Sequence, residues 1–114
     1  MLPKKNRVPR KDFPSSKTKG LRGFSPIFSS VLYFAKETEG IESRVSVVVS
    51  KKTAKTAVVR NLLRRRFYEA IRPFLGQIKQ GVTVVIYPKK EAIVAKFPEI
   101  EVEMEKTLKQ TKLI

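Results

Sequence analysis

Apolar positions along this chain change period several times, and each period names an element. Arg44–Ser50 alternates, with Val45, Val47 and Val49 on one side and Ser46, Val48 and Ser50 on the other, as in a half-buried strand. Ile27–Ala35 is rich in aromatic and β-branched residues and reads as a second strand. Val82–Tyr87 is a short, nearly continuous apolar run, the pattern of a central strand covered on both faces. The polar stretch Glu37–Ser43, which contains Gly40, predicts a hairpin between the first two of these in chain order.

Over Ala57–Leu75 the period becomes three and four. Val59, Leu63, Phe67, Ala70 and Phe74 make one apolar stripe of a helix. Thr56 stands at the N-cap position, and Gly76 follows as the expected terminator. Arg60, Arg64, Tyr68 and Arg72 recur every four residues on another face, with Asn61 and Arg65 beside them. The last segment fits two periods. Glu99–Glu105 alternates like a strand, whereas Phe97, Ile100, Met104 and Leu108 make a helical face. Pro98 in a first turn and Lys106, Lys109 and Lys112 near the end favour the helix.

Charge sharpens the picture. The 114 residues carry 25 Lys+Arg against 10 Asp+Glu, a net charge of +15. Residues 1–23 hold eight basic side chains against Asp12 alone, and residues 51–72 hold eight against Glu69 alone. Four of the ten acids sit at Glu99, Glu101, Glu103 and Glu105, so a basic front and a less basic back are expected. A field of this size points to a polyanion, nucleic acid ahead of an anionic membrane. No run approaches the roughly 18 apolar residues of a spanning helix. The N-terminal residues lack a secretory apolar core, and Pro3, Pro9, Pro14 and Pro26 oppose a transit-peptide helix. With no Cys and no His, thiolate zinc sites, cysteine nucleophiles and imidazole bases are excluded. A self-sufficient hydrolase is a poor fit, and the lack of Cys suits a reducing cytoplasm.

The informative segment runs from Ser50-Lys51-Lys52 through a short loop into Ala57-Val58-Val59-Arg60-Asn61 and the cluster Arg64-Arg65-Arg66. Guanidinium forks and a helix N-terminus grip phosphate, and Asn61 suits a ribose hydroxyl or a base edge. A merely solvated basic helix face is the competing reading. This segment resembles the signature of the bacterial ribonuclease P protein subunit. Further likeness lies in Met1-Leu2-Pro3, Asn6-Arg7, Lys11-Asp12-Phe13, Val31-Leu32-Tyr33, Gly81 with Val84-Val85-Ile86, and the closing Glu/Lys-rich helix. The chain departs from the pattern at Leu62, where the family has a second Arg, in the glycine-free loop Thr53–Thr56, and at Pro14 and Lys17.

The resemblance implies an α+β fold: a single domain over 1–114, with residues 1–22 as a basic N-terminal segment. Its mixed four-stranded sheet would pack on helices in the order helix, three strands, helix, strand, helix. A left-handed crossover would precede Val82, against the usual hand, as in a small-ribosomal-subunit protein. It implies a protein subunit of a ribonucleoprotein endonuclease that matures the 5′ end of precursor tRNA. The RNA subunit would carry catalysis, with Mg²⁺ held mainly by RNA and substrate and none bound tightly by the protein. Ribonuclease P RNA would meet Arg60, Asn61, Arg64 and Arg65, with the arginine contact missing at Leu62 either lost or moved to Arg66. The single-stranded 5′ leader of precursor tRNA would lie along Phe13, Lys17, Tyr33, Lys51, Lys52, Lys89 and Lys90. Core packing is the competing role for Phe13 and Tyr33. No membrane and no small-molecule substrate are expected, and the location would be cytoplasmic. The alternative function is a basic ribosomal or ribosome-assembly RNA-binding protein without a catalytic role.

Overall fold

The computed structural model describes residues 21–34, 44–78 and 82–111. The implied first helix, Phe13, Lys17 and the expected hairpin segment lie outside these residues. Four strands form one sheet: β1 (Leu21–Phe24), β2 (Phe28–Phe34), β3 (Arg44–Val47) and β4 (Val82–Pro88). Their order is β1-β2-β4-β3. β4 is antiparallel to β2 and parallel to β3. Parallel neighbours cannot be joined by a tight turn, so the chain crosses between them through α1 (Ala57–Ile71). A four-residue helix α2 (Glu91–Val94) and the longer α3 (Phe97–Gln110) follow β4.

The sheet order corrects one expectation. β2 and β3 are not partners, because β4 lies between them. The hairpin falls one connection earlier, where β1 and β2 pair in antiparallel register across Ser25–Ile27. There Ser25 N–H donates to the Phe28 carbonyl at 3.0 Å, and Pro26 occupies the turn. β1 escaped the sequence reading because Leu-Arg-Gly-Phe is too short and too mixed to show a period.

Alternation decides which strand residues face the helices. Phe28 and Leu32 of β2, Val45 and Val47 of β3, and Val82, Val84 and Ile86 of β4 point to one side and are buried. Against them pack Leu63, Phe67, Ala70 and Ile71 of α1, and Ile100, Met104 and Leu108 of α3. Phe28 and Phe67, both fully buried, meet edge-on, their rings 5.4 Å apart and inclined by 79°. The helical period of the last segment is the observed one. Ile100 and Met104 are buried while Val102 between them is half exposed, which a strand would not give.

Both ends of α1 have local causes. Thr56 Oγ1 accepts the Val59 N–H at 3.3 Å, capping the first turn as expected. The far end is set by Pro73, not Gly76. Proline offers no N–H to the carbonyl four residues back, so the α-helix stops at Ile71 and Arg72–Phe74 tightens into a 3₁₀ turn. Gly76 needs no glycine conformation, and a Cβ there would meet open space. Gly23 is the opposite case. A Cβ on it would fall 2.7 Å from Ser30 Oγ and 2.9 Å from Thr107 Cγ2, so β1 lies against α3 only because the side chain is missing.

Thermal melts check this assignment. Gly23→Ala should destabilise by about 1–3 kcal/mol through overpacking. Leu63→Ala should cost about 2–5 kcal/mol through the cavity it opens. Gly76→Ala should be neutral or stabilising by up to about 1 kcal/mol.

Candidate nucleic-acid interface

α1 presents its polar side where its apolar stripe ends, alongside the edge strand β3. The Tyr68 hydroxyl accepts the Val47 N–H at 3.1 Å, tying the last turn of the helix to that strand. One turn earlier Arg64 Nη1 donates to Asn61 Oδ1 at 2.6 Å, which fixes the orientation of the asparagine amide. Asn61, Arg64, Arg65 and Tyr68 together line an open recess of about 370 Å³. Four of the residues singled out in the sequence thus sit on one flank, with Tyr68 as its aromatic member.

Two arginines behave differently from their expected roles. Arg60 is half-buried, and its Nη1 donates to the carbonyls of Ala54 and Lys55 at 2.9 and 3.0 Å. It clasps the loop that carries Lys51 and Lys52 and does not line the recess. Arg66 is also absent from the recess. At about 100° per residue it lies about 160° around the helix from Arg64, one turn beyond the half-exposed Leu62. It therefore shares a strip with Leu62, as a substitute for a side chain at that position must.

The lysine pairs converge because β3 and β4 are parallel. Their C-terminal ends fall at the same end of the sheet, bringing Lys51 and Lys52 near the level of Lys89 and Lys90. Lys51, Lys52 and Lys90 are exposed. Lys89 is committed at its tip: Nζ donates to the Ser25 carbonyl at 3.0 Å and anchors the β1–β2 turn. The same turn is pinned to α3 by Ser25 Oγ, which donates to Glu103 Oε2 at 2.9 Å.

Tyr33 is neither in the core nor beside the lysines. It projects from the sheet face opposite the helices and pairs in register with Thr83, at the other end of β4, about 17 Å along the strand from the lysine end. On this outer face the register sets Arg22, Val31, Val85 and Ser46 in one row, with Phe24, Ser29 and Tyr87 in the next. Burial holds the Tyr87 phenol above its usual pKa, Tyr33 pushes the same way, and Arg22 opposes both. Arg22, Tyr33 and Tyr87 come from three strands and share this outer face. Arg22, Phe24 and Tyr87 went unnoticed in the sequence. Their signal is a β register that only the pairing reveals.

Comparison with known proteins bears directly on this arrangement. A family model described as Ribonuclease P matches residues 2–112. The chain belongs to the ribonuclease P protein family. The ribonuclease P protein component of Pseudanabaena sp. strain PCC 6903 is 31% identical over 115 residues, covering 100% of this chain and 97% of that protein. The component from Synechococcus sp. strain JA-2-3B'a(2-13) is 34% identical over 76 residues, which span 67% of this chain and 57% of that relative. The solved ribonuclease P protein of Staphylococcus aureus shares the fold with a TM-score of 0.73 at 24% identity, over 100% of this chain and 96% of that one. The Thermotoga maritima protein gives 0.69, over 81% and 84%. A role in RNA binding and tRNA 5′ processing follows from the family, and the ribosomal alternative gains no support.

The clasp formed by Arg60 is open to test by hydrogen exchange. In Arg60→Ala the amides of Thr53 and Ala54, which bond to the Ser50 carbonyl, should exchange about tenfold faster, a loss of about 1.4 kcal/mol. Arg65→Ala should leave them unchanged.

Proposed function

We propose that this chain is the protein component of a ribonuclease P that holds the catalytic RNA on the α1 flank and the 5′ leader of precursor tRNA across the outer sheet face. The observation that carries the reading is the recess of Asn61, Arg64, Arg65 and Tyr68, set on a rigid helix whose opposite stripe is the core. RNA duplex offers phosphates and 2′-hydroxyls to such a flank, because its deep groove is closed to side chains. The outer face supplies aromatic rings among cations, which suits a single strand read with little base preference. Lys51, Lys52 and Lys90 extend the positive path at one end of that face, while Lys89 holds the turn that shapes it.

The RNA subunit carries the chemistry in this reading. Among the described residues no group of three or more Asp, Glu, His or Cys gathers in a way that could hold a metal ion. Mg²⁺ bound by RNA and substrate would supply the activated water and stabilise the leaving oxygen. This chain's part is to neutralise phosphate repulsion and fix the leader's course. Among the described residues no helix is long and apolar enough to cross a membrane, and we place the work in the cytoplasm, beside the precursor tRNA pool.

The decisive reconstitution adds ribonuclease P RNA to the purified chain. Neither the chain alone nor the RNA alone at low Mg²⁺ should process precursor tRNA efficiently, and the mixture should. Affinity for the RNA should fall with salt at a log–log slope of about −4 to −5, as six phosphate contacts require. Arg65→Ala should make the slope shallower by about 0.7–0.9. A salt-independent affinity sinks the electrostatic reading.

Leader binding has its own signature. Tyr33→Ala or Tyr87→Ala should weaken precursor tRNA binding to the assembled enzyme by about 1–3 kcal/mol per lost base stack. Mature tRNA binding should stay the same. Equal losses for both substrates would return these tyrosines to a packing role.

A further inference from the structure

We infer that the recess on α1 receives one unpaired guanine of the RNA, stacked on Tyr68 and read through its O6 and N7 atoms. This rests on the α1 flank being the RNA interface and goes beyond it by naming what enters.

Three observations carry the inference. The recess, at about 370 Å³, falls within the range of small-ligand sites, about 300–1,000 Å³, and is roomier than one phosphate group needs. Its lining is polarised in one sense. Asn61 Oδ1 is taken by Arg64, so the asparagine turns its amide donors outward. Tyr68 Oη uses acceptor capacity on the Val47 N–H and keeps its own hydrogen to give. Arg64 and Arg65 have only donors, and among the described residues no carboxylate lines the recess. The free polar groups therefore favour a ligand edge made of acceptors.

The third observation is the aromatic member. Tyr68 packs against the core and is held by its hydroxyl, so its ring is a fixed surface at the edge of the recess. A backbone phosphate has no use for a ring. A base that is still stacked in a duplex cannot enter, whereas an unpaired base can leave its stack and lie on it. Guanine presents two neighbouring acceptors, O6 and N7, to an arginine fork, and its two-ring plane covers more of Tyr68 than that of cytosine, whose unpaired edge carries O2 and N3. Adenine places an amino donor where the recess already has donors.

Interference mapping tests this with the full chain. Ribonuclease P RNA is transcribed with sparse 7-deazaguanosine, which lacks N7, and bound and unbound fractions are separated. One guanine outside the helices should be depleted from the bound fraction. Restoring N7 there, or placing adenine there, should change affinity by about tenfold in the expected senses, the discrimination of a bidentate pair. Tyr68→Phe keeps the ring and should keep the interference. Tyr68→Leu loses the Val47 bond equally but has no ring, and should abolish it. Absence of interference at any unpaired guanine overturns the inference, as does interference that survives Tyr68→Leu. If Arg65→Ala still weakens binding in that case, the flank is an RNA interface that grips phosphate alone. If Arg65→Ala has no effect either, the interface itself is misplaced.

Discussion

The placement of β4 between an antiparallel and a parallel neighbour governs the rest of the molecule. The antiparallel side is made by β2, and the parallel side can be closed only by a segment that crosses the sheet. α1 is that segment, so its apolar stripe must face the sheet and its arginines must not. The Phe28–Phe67 contact fastens the crossing helix to β2. Function inherits this geometry. The parallel pair also aligns the ends of β3 and β4, which collects the two lysine pairs at one end of the sheet.

Much of this was legible in residue order, where a period was long enough to show. α1 and α3 announced themselves through repeated apolar positions, and β4 through an apolar run that fits a covered strand. Other features were not local. β1 is four residues with no period, and Gly23 has a purpose only once Thr107 is opposite it. The hairpin was misplaced because polar composition marks a connection without saying which strands it pairs. Pro73 was available to the eye as a stop signal and was overridden by the apolar stripe continuing to Phe74.

The site divides in the same way. Helical spacing placed Asn61, Arg64 and Arg65 on one flank, and it placed Tyr68 there too, though without a role. What spacing left open was how each guanidinium spends its donors. Arg60 looked equivalent to Arg64, yet the loop carbonyls of Ala54 and Lys55 lie within its reach and draw it in. On the outer face, Tyr33 was recognisable through a family likeness. Tyr87 and Arg22 join it on that face only through cross-strand register.

The bond from Val47 to Tyr68 has a second consequence, for the protein before it meets any partner. β3 is an edge strand, and its outward N–H groups could template another chain. Tyr68 occupies the one at Val47. The other edge of the described sheet, β1, carries the exposed Arg22. The Val47 N–H is thereby unavailable to a second copy, and mutual repulsion of two +15 bodies opposes their approach. The same tyrosine that borders the recess thus also blunts one edge of the described sheet.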